Sequence, residues 1–196
     1  AVIMVIILVA YFLWLLSLRK KDINKVEYML EVEKSLFDAH KHTENVDNTL
    51  GKVADYMKAE TAFFTKVKNG IIDEVYCWSN KENFDINAAE NRPVKVVIPG
   101  FNGDGTSMKF GKKLYNLRDC GLPYDYYIDS YIVTSVYDVK KRFVGVLGVV
   151  NMDKVWKNAD YIENVAGTFS LAVNNISSYQ SLREMGIIDS LTGLLN

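Results

Sequence analysis

Two histidines, two cysteines and a group of aromatic residues are the side chains of this 196-residue chain best suited to chemistry. His40 and His42 stand two apart, which on a helix turns them in different directions, so they do not read as a shared metal site. Cys77 and Cys120 match neither a C-x-x-C redox pattern nor a metal-ligand spacing, and read as free thiols. With both histidines in one short stretch, no Ser/His/Asp or Cys/His constellation can be assembled, and no catalytic residue is expected. Gly105 to Lys113 (GTSMKFGKK) has the outline of a phosphate loop, but five residues rather than four separate its glycines and no Ser or Thr follows Lys112. Trp78, Tyr127, Tyr131 and Tyr137, with Tyr126, have the character of a lining for a small apolar ligand pocket and equally of core residues.

The elements that must position these residues differ along the chain. Ala1 to Leu18 carries no charge and approaches the roughly 20 apolar residues that cross a bilayer as a helix. The basic residues Arg19, Lys20 and Lys21 follow this run rather than precede it, and no small-x-small cleavage site is visible, which disfavours a signal peptide. A basic stop on the C-terminal side fits a transmembrane helix better than a buried core helix and places the remainder on the cytoplasmic side. The net charge of -1 gives no reason to expect a nucleic-acid partner. About half the chain is hydrophobic and a quarter charged, the composition of a folded protein.

From Asp22, apolar residues at 23, 26, 30 and 37 extend the membrane helix as a linker to about residue 42. Thr43 is a candidate N-cap for a second helix in which Val46, Leu50, Val53 and Met57 share a face. Two β-rich runs, Ala62 to Lys68 and Ile71 to Ser79, flank Asn69-Gly70, the most favourable dipeptide for a tight hairpin. Val94 to Ile98 reads as a short third strand between prolines, and Met108 to Leu117 as a short helix within a glycine-rich irregular region. Ser130 to Asp138 and Arg142 to Asn151 form the strongest β signal, joined by Val139-Lys140-Lys141. From Asp160, the apolar positions Val165, Phe169, Ala172, Ile176 and Tyr179 recur with coiled-coil spacing. Few strands between clustered helices imply an α+β layer.

That order of elements resembles a GAF domain, best over Ser135-Val136-Tyr137 and Val144-Gly145-Val146-Leu147-Gly148-Val149-Val150-Asn151, which look like the closing hairpin of that family, followed by its returning helix. The resemblance spans roughly residues 43 to 180 and implies an antiparallel sheet flanked by helices. Nucleotide-binding members carry N-K-x-F-x-x-x-D-E after the hairpin; here Asn151 and Asp160 fit and Trp156 could replace the Phe, but Met152 and Tyr161 stand in place of Lys and Glu, so cyclic nucleotides are not expected as ligands. Bilin-binding members need a cysteine commonly followed by His, whereas Trp78 follows Cys77 and Gly121 follows Cys120, so no covalent chromophore is expected. Residues 181 to 196 end in Asp189, Leu191, Thr192, Gly193, Leu194 and Asn196, which resemble the D-x-L-T-G-L-x-N opening of GGDEF domains. This second resemblance implies the regulatory part of a diguanylate cyclase in a bacterial inner membrane, anchored by residues 1 to 21, with the GTP and Mg sites of the output domain beyond Asn196. It implies no cofactor in the chain itself and a homodimer through the Val165 to Tyr179 seam. The alternative is a non-catalytic sensor or dimerisation module with a degenerate output domain.

Overall fold

The structure, a computed structural model, describes residues 2–37, 44–81, 86–152, 159–184 and 186. The Thr43 cap, both histidines and the junction from Asp189 to Asn196 lie outside the described residues. Helix α1 (Val2–Phe37) runs without interruption through the apolar stretch and the charged segment after it. Ile3 to Leu18 face outward along its first half, long and apolar enough to cross a membrane by length and composition. Its last turns belong to the domain, because Val32 and Leu36 are buried.

Helix α2 (Glu44–Met57) buries Val46, Leu50, Val53 and Met57, the face the spacing of the sequence selects. The chain then enters β1 (Ala59–Lys68) and returns as β2 (Ile71–Ser79). Both turn residues between them, Asn69 and Gly70, have positive φ, as a two-residue hairpin turn of the primed type requires. Later come β3 (Thr106–Asn116), β4 (Tyr127–Tyr137) and β5 (Phe143–Met152), and then α4 (Ala159–Glu184). In the β4–β5 loop the Asp138 carboxylate accepts from the backbone N–H groups of Lys140 and Arg142 at 2.9 and 2.8 Å and pairs with the Arg142 guanidinium at 2.7 Å, closing the turn on itself. The five strands form one antiparallel sheet in the order β2-β1-β5-β4-β3.

Two readings of the sequence are corrected. Val94–Val97 is a single helical turn, α3, rather than a strand: Pro93 opens it, and Val94 and Val97, three apart, are the buried pair. An apolar run this short cannot separate the two states by pattern. Conversely, the segment read as a short helix is the edge strand β3, whose exposed lysines and irregular pairing between Phe110 and Tyr115 are the usual means of blunting a sheet edge.

The sheet separates two apolar layers. On one face lie α2, α4 and the end of α1, packed over Phe64, Leu147 and Val149. Val165, Phe169 and Ala172 are buried in this layer, so the first half of the proposed coiled-coil seam is intramolecular core. The side chains of Ile176 and Tyr179 lie outside the described residues. On the opposite face, the loops between strands cover Phe63, Tyr131, Val133 and Val146.

Candidate functional site

Alternation along the strands sets the floor on the loop-covered face. Thr61, Phe63 and Thr65 of β1 point there, beside Val146 and Val150 of β5 and Tyr131 and Val133 of β4. Gly148 lies between Phe63 and Val133 in the middle row of the same floor. An added Cβ would stand 2.6 Å from Phe63 Cζ and 2.7 Å from Val133 Cγ1, so the missing side chain is what lets those two approach.

The segment from Ile86 to Pro99 forms the cover. It is tied to β2 through the backbone: Ile72 N–H donates to Arg92 O at 2.9 Å, Asn91 N–H to Ile72 O at 2.8 Å, and Val94 N–H to Gly70 O at 3.1 Å. At its far end the Tyr131 hydroxyl donates to Pro99 O at 3.1 Å. A second cover is the turn Leu117–Cys120, held by Asn116, whose side-chain oxygen accepts from Arg118 N–H and Tyr126 N–H, both at 3.1 Å. Between floor and covers remains a small cavity of about 20 Å³, room for about one water. Ala89, Val97 and Ile98 roof it, and Tyr115, Leu117 and Ile128 close one side. The wall is almost wholly apolar and carries no charged residue.

One polar atom in this lining is orphaned: Thr65 Oγ1 is buried and has no hydrogen-bond partner. Thr61 Oγ1 is committed, at 2.8 Å to Ser79 Oγ and 3.3 Å to the Tyr126 hydroxyl. Beyond Thr61 the network reaches the Glu60 carboxylate, which accepts from Tyr126 and from Asn151 Nδ2, each at 3.0 Å, and pairs with Lys81 at 3.0 Å. Burial by itself would raise the Glu60 carboxyl, but the donors Asn151, Lys81 and Tyr126 outweigh it and hold the group below its ordinary range. Asn151, in the left-handed region at φ 53°, also accepts from Asp129 N–H at 2.8 Å and donates to Tyr127 O at 2.9 Å. The network therefore ties the ends of β1, β4 and β5 together next to the cavity.

The aromatic residues singled out from the sequence do not converge. Tyr131 lines the cavity. Trp78 lies on the helix-covered face against Gly51, Tyr127 is exposed beneath Lys113 at 4.7 Å, and Tyr137 donates to Asp104 at the sheet edge. Thr61, Thr65 and Glu60 had escaped the sequence reading; the signal available was the hydroxyl residues alternating with Phe63 inside an otherwise apolar strand. Cys77 packs on the loop-covered face and Cys120 ends the second cover, neither of them in a disulfide, and burial pushes the Cys120 thiol up. Among the described residues no cluster of three or more His, Cys, Asp or Glu could hold a metal ion.

No protein-family model and no curated protein matches the sequence. Solved structures do match in shape. The X-ray structure of free methionine-R-sulfoxide reductase from Neisseria meningitidis in complex with its substrate aligns with 79% of this chain and 90% of its own at a TM-score of 0.58 and 15% identity. The phycoerythrobilin-bound GAF domain from a cyanobacterial phytochrome covers 79% and 99% at 0.56 and 8% identity. The GAF domain of a putative sensor histidine kinase from Pseudomonas syringae pv. tomato covers 86% and 97% at 0.56 and 9% identity. The fold is that of a GAF domain. In this GAF fold, the positions where the sequence departs from the nucleotide-binding motif are core rather than site: Met152 is buried in the helix-covered layer, and Tyr161 is buried with its ring 4.1 Å from that of Tyr56.

Proposed function

We propose that the chain is the membrane-anchored sensor portion of a diguanylate cyclase, in which the GAF domain governs an output domain that makes cyclic di-GMP from two GTP. The observation that carries this reading is the contact between the entering and leaving helices. Tyr28 of α1 packs its ring against that of Tyr56 of α2 at 4.9 Å in a tilted contact, and Tyr56 packs likewise against Tyr161 of α4 at 4.1 Å. Tyr28 also donates to Asp55 at 3.0 Å, and Glu31 pairs with Lys52 at 3.5 Å. A shift of the sheet beneath these helices is thereby felt by both, and α4 leads toward the Asp189 to Asn196 junction. Such coupling needs only a small difference in ligand affinity between two helix arrangements.

The GAF domains of a sensor histidine kinase and a phytochrome among the structural neighbours support a sensory role. Burial pushes the Cys120 thiol up, the opposite of the lowered pKa that an activated cysteine needs. The GTP and magnesium sites are assigned to sequence beyond Asn196, and homodimerisation is assigned to α4 beyond Ala172. The test is to incubate membranes containing the protein encoded by the whole gene with GTP and magnesium, beside membranes containing residues 1–196. Cyclic di-GMP is expected only from the former. Product from residues 1–196, or none from a longer protein with intact metal carboxylates, would sink the proposal.

A further inference from the structure

Past the basic residues, α1 carries an apolar stripe that its own domain does not cover. Ile23, Val26 and Leu30 are 64%, 59% and 59% exposed, whereas Val32 and Leu36 of the same helix are buried and Tyr28 packs against the same core. At about 100° per residue the three exposed side chains fall within about 60° of one another, on the side away from Val32 and Leu36. Their spacing of three and four is that of the a and d positions of a two-stranded coil. Val26 and Leu30 also wall a groove whose far side is Asn164 of α4, so a helix laid on the stripe meets both α1 and α4.

Two exposed charges frame the stripe. Glu33 and Lys34 lie about 50° to either side of it, at nearly the same height along the helix. Neither belongs to an ion pair among the described residues. When two copies of α1 lie parallel about a two-fold axis, each flank of one helix faces the opposite flank of the other. Glu33 of each copy then faces Lys34 of the other. An antiparallel pair sets like flanks together and keeps these charges apart. Three side chains fall short of the roughly 800 Å² per partner of a stable interface, so the stripe fits a partner already held beside it. For a helix continuous with an apolar segment long enough to cross a membrane, that partner is a second copy anchored in the same bilayer.

We infer that two copies of this chain pair in parallel through Ile23, Val26 and Leu30 of α1, held in register by reciprocal Glu33–Lys34 ion pairs. This adds an input-side contact to the dimer that the proposed function places on α4 beyond Ala172, and it rests on that reading for the membrane anchorage of residues 1–21.

The experiment uses the full chain in membrane vesicles, with Cys77→Ala and Cys120→Ala to remove the native thiols. Ile23→Cys and Leu30→Cys should each cross-link to an identical copy on oxidation, and Glu31→Cys, on the flank, should not. Glu33→Lys or Lys34→Glu should slow the Leu30→Cys cross-link about fivefold, as the loss of two exposed ion pairs implies, and the double exchange should restore it. The charge variants, made in the wild-type chain, should keep its melting temperature, because both residues are exposed. Several results overturn the inference: no cross-link at either stripe position, equal linking at Glu31→Cys, linking only between Ile23→Cys and Leu30→Cys in a mixture, or a rate indifferent to the charges. A stripe covered by lipid, by another protein or by the chain itself gives the first of these. Cyclic di-GMP synthesis by the protein encoded by the whole gene is read separately. Cross-linking with no synthesis leaves the interface standing and removes the cyclase reading, whereas synthesis with no cross-linking does the reverse.

Discussion

Glu60 and Gly148 show how single residues hold this sheet in shape. The Glu60 carboxylate takes hydrogen bonds from Tyr126 and Asn151 and an ion pair from Lys81, which keeps it charged below the ordinary carboxylate range. A depressed carboxyl contributes stability that is fully present above its unfolded pKa of about 4.3 and is lost as pH falls through the lower folded value. Glu60→Gln should therefore lower the melting temperature at pH 7, and the gap from wild type should close progressively below about pH 4. Melts followed across that range check it; a gap independent of pH would mean that the charge is not what matters. At Gly148 the added methyl of Gly148→Ala meets Phe63 and Val133 from two sides, so overpacking of about 1–3 kcal/mol is expected in denaturant unfolding. Neither role was legible beforehand. Glu60 falls before the apolar run that marks β1, and a glycine in a strand announces close approach without saying of what.

At the scale of elements, legibility followed the strength of the local pattern. Asn69-Gly70 and the β4–β5 hairpin were readable because turn chemistry and alternation agree there. β3 was not, because an edge strand with exposed lysines lacks the apolar alternation that reveals an inner one. The cavity was unreadable for a related reason: its floor is sheet, but its roof includes α3, which reads as a strand in the sequence, and one side is closed by the end of β3, which reads as a helix. For α4, period alone could not distinguish a stripe facing the chain's own sheet from one facing a second helix. Phe169 decides it, being buried with its ring 5.0 Å from that of Phe64. Phe169→Asp should therefore destabilise the domain by several kcal/mol, with loss of cooperative unfolding in far-UV circular dichroism. A folded domain that merely changed its state of association would return this residue to an intermolecular seam.

At the scale of the whole molecule, the direction of α4 matters more than its composition. Glu163 accepts from Thr106 at 2.6 Å near the start of β3, and further along, Ser170 donates to the Tyr137 carbonyl at the end of β4. The helix thus runs along β4 in the same direction and leaves the sheet where the β4–β5 turn begins. α1 meets the same layer through Tyr28, near the C-terminal end of α2. Input and output helices are therefore held by one apolar layer, and α4 from Ala172 onward is the lever through which the proposed coupling passes. A lever of this kind works by rotational phase, which can be changed without touching the cavity or the sheet. Inserting two alanines after Asn175 rotates everything beyond by about 200°, whereas seven residues bring it back to within about 20° of the original phase. In the protein encoded by the whole gene, the two-residue insertion should abolish cyclic di-GMP synthesis, and the seven-residue insertion should retain it. Both proteins should keep the wild-type melting temperature, since Val165, Phe169 and Ala172, which anchor the helix, all precede the insertion. Equal synthesis from the two insertions would show that the signal does not travel through the phase of this helix.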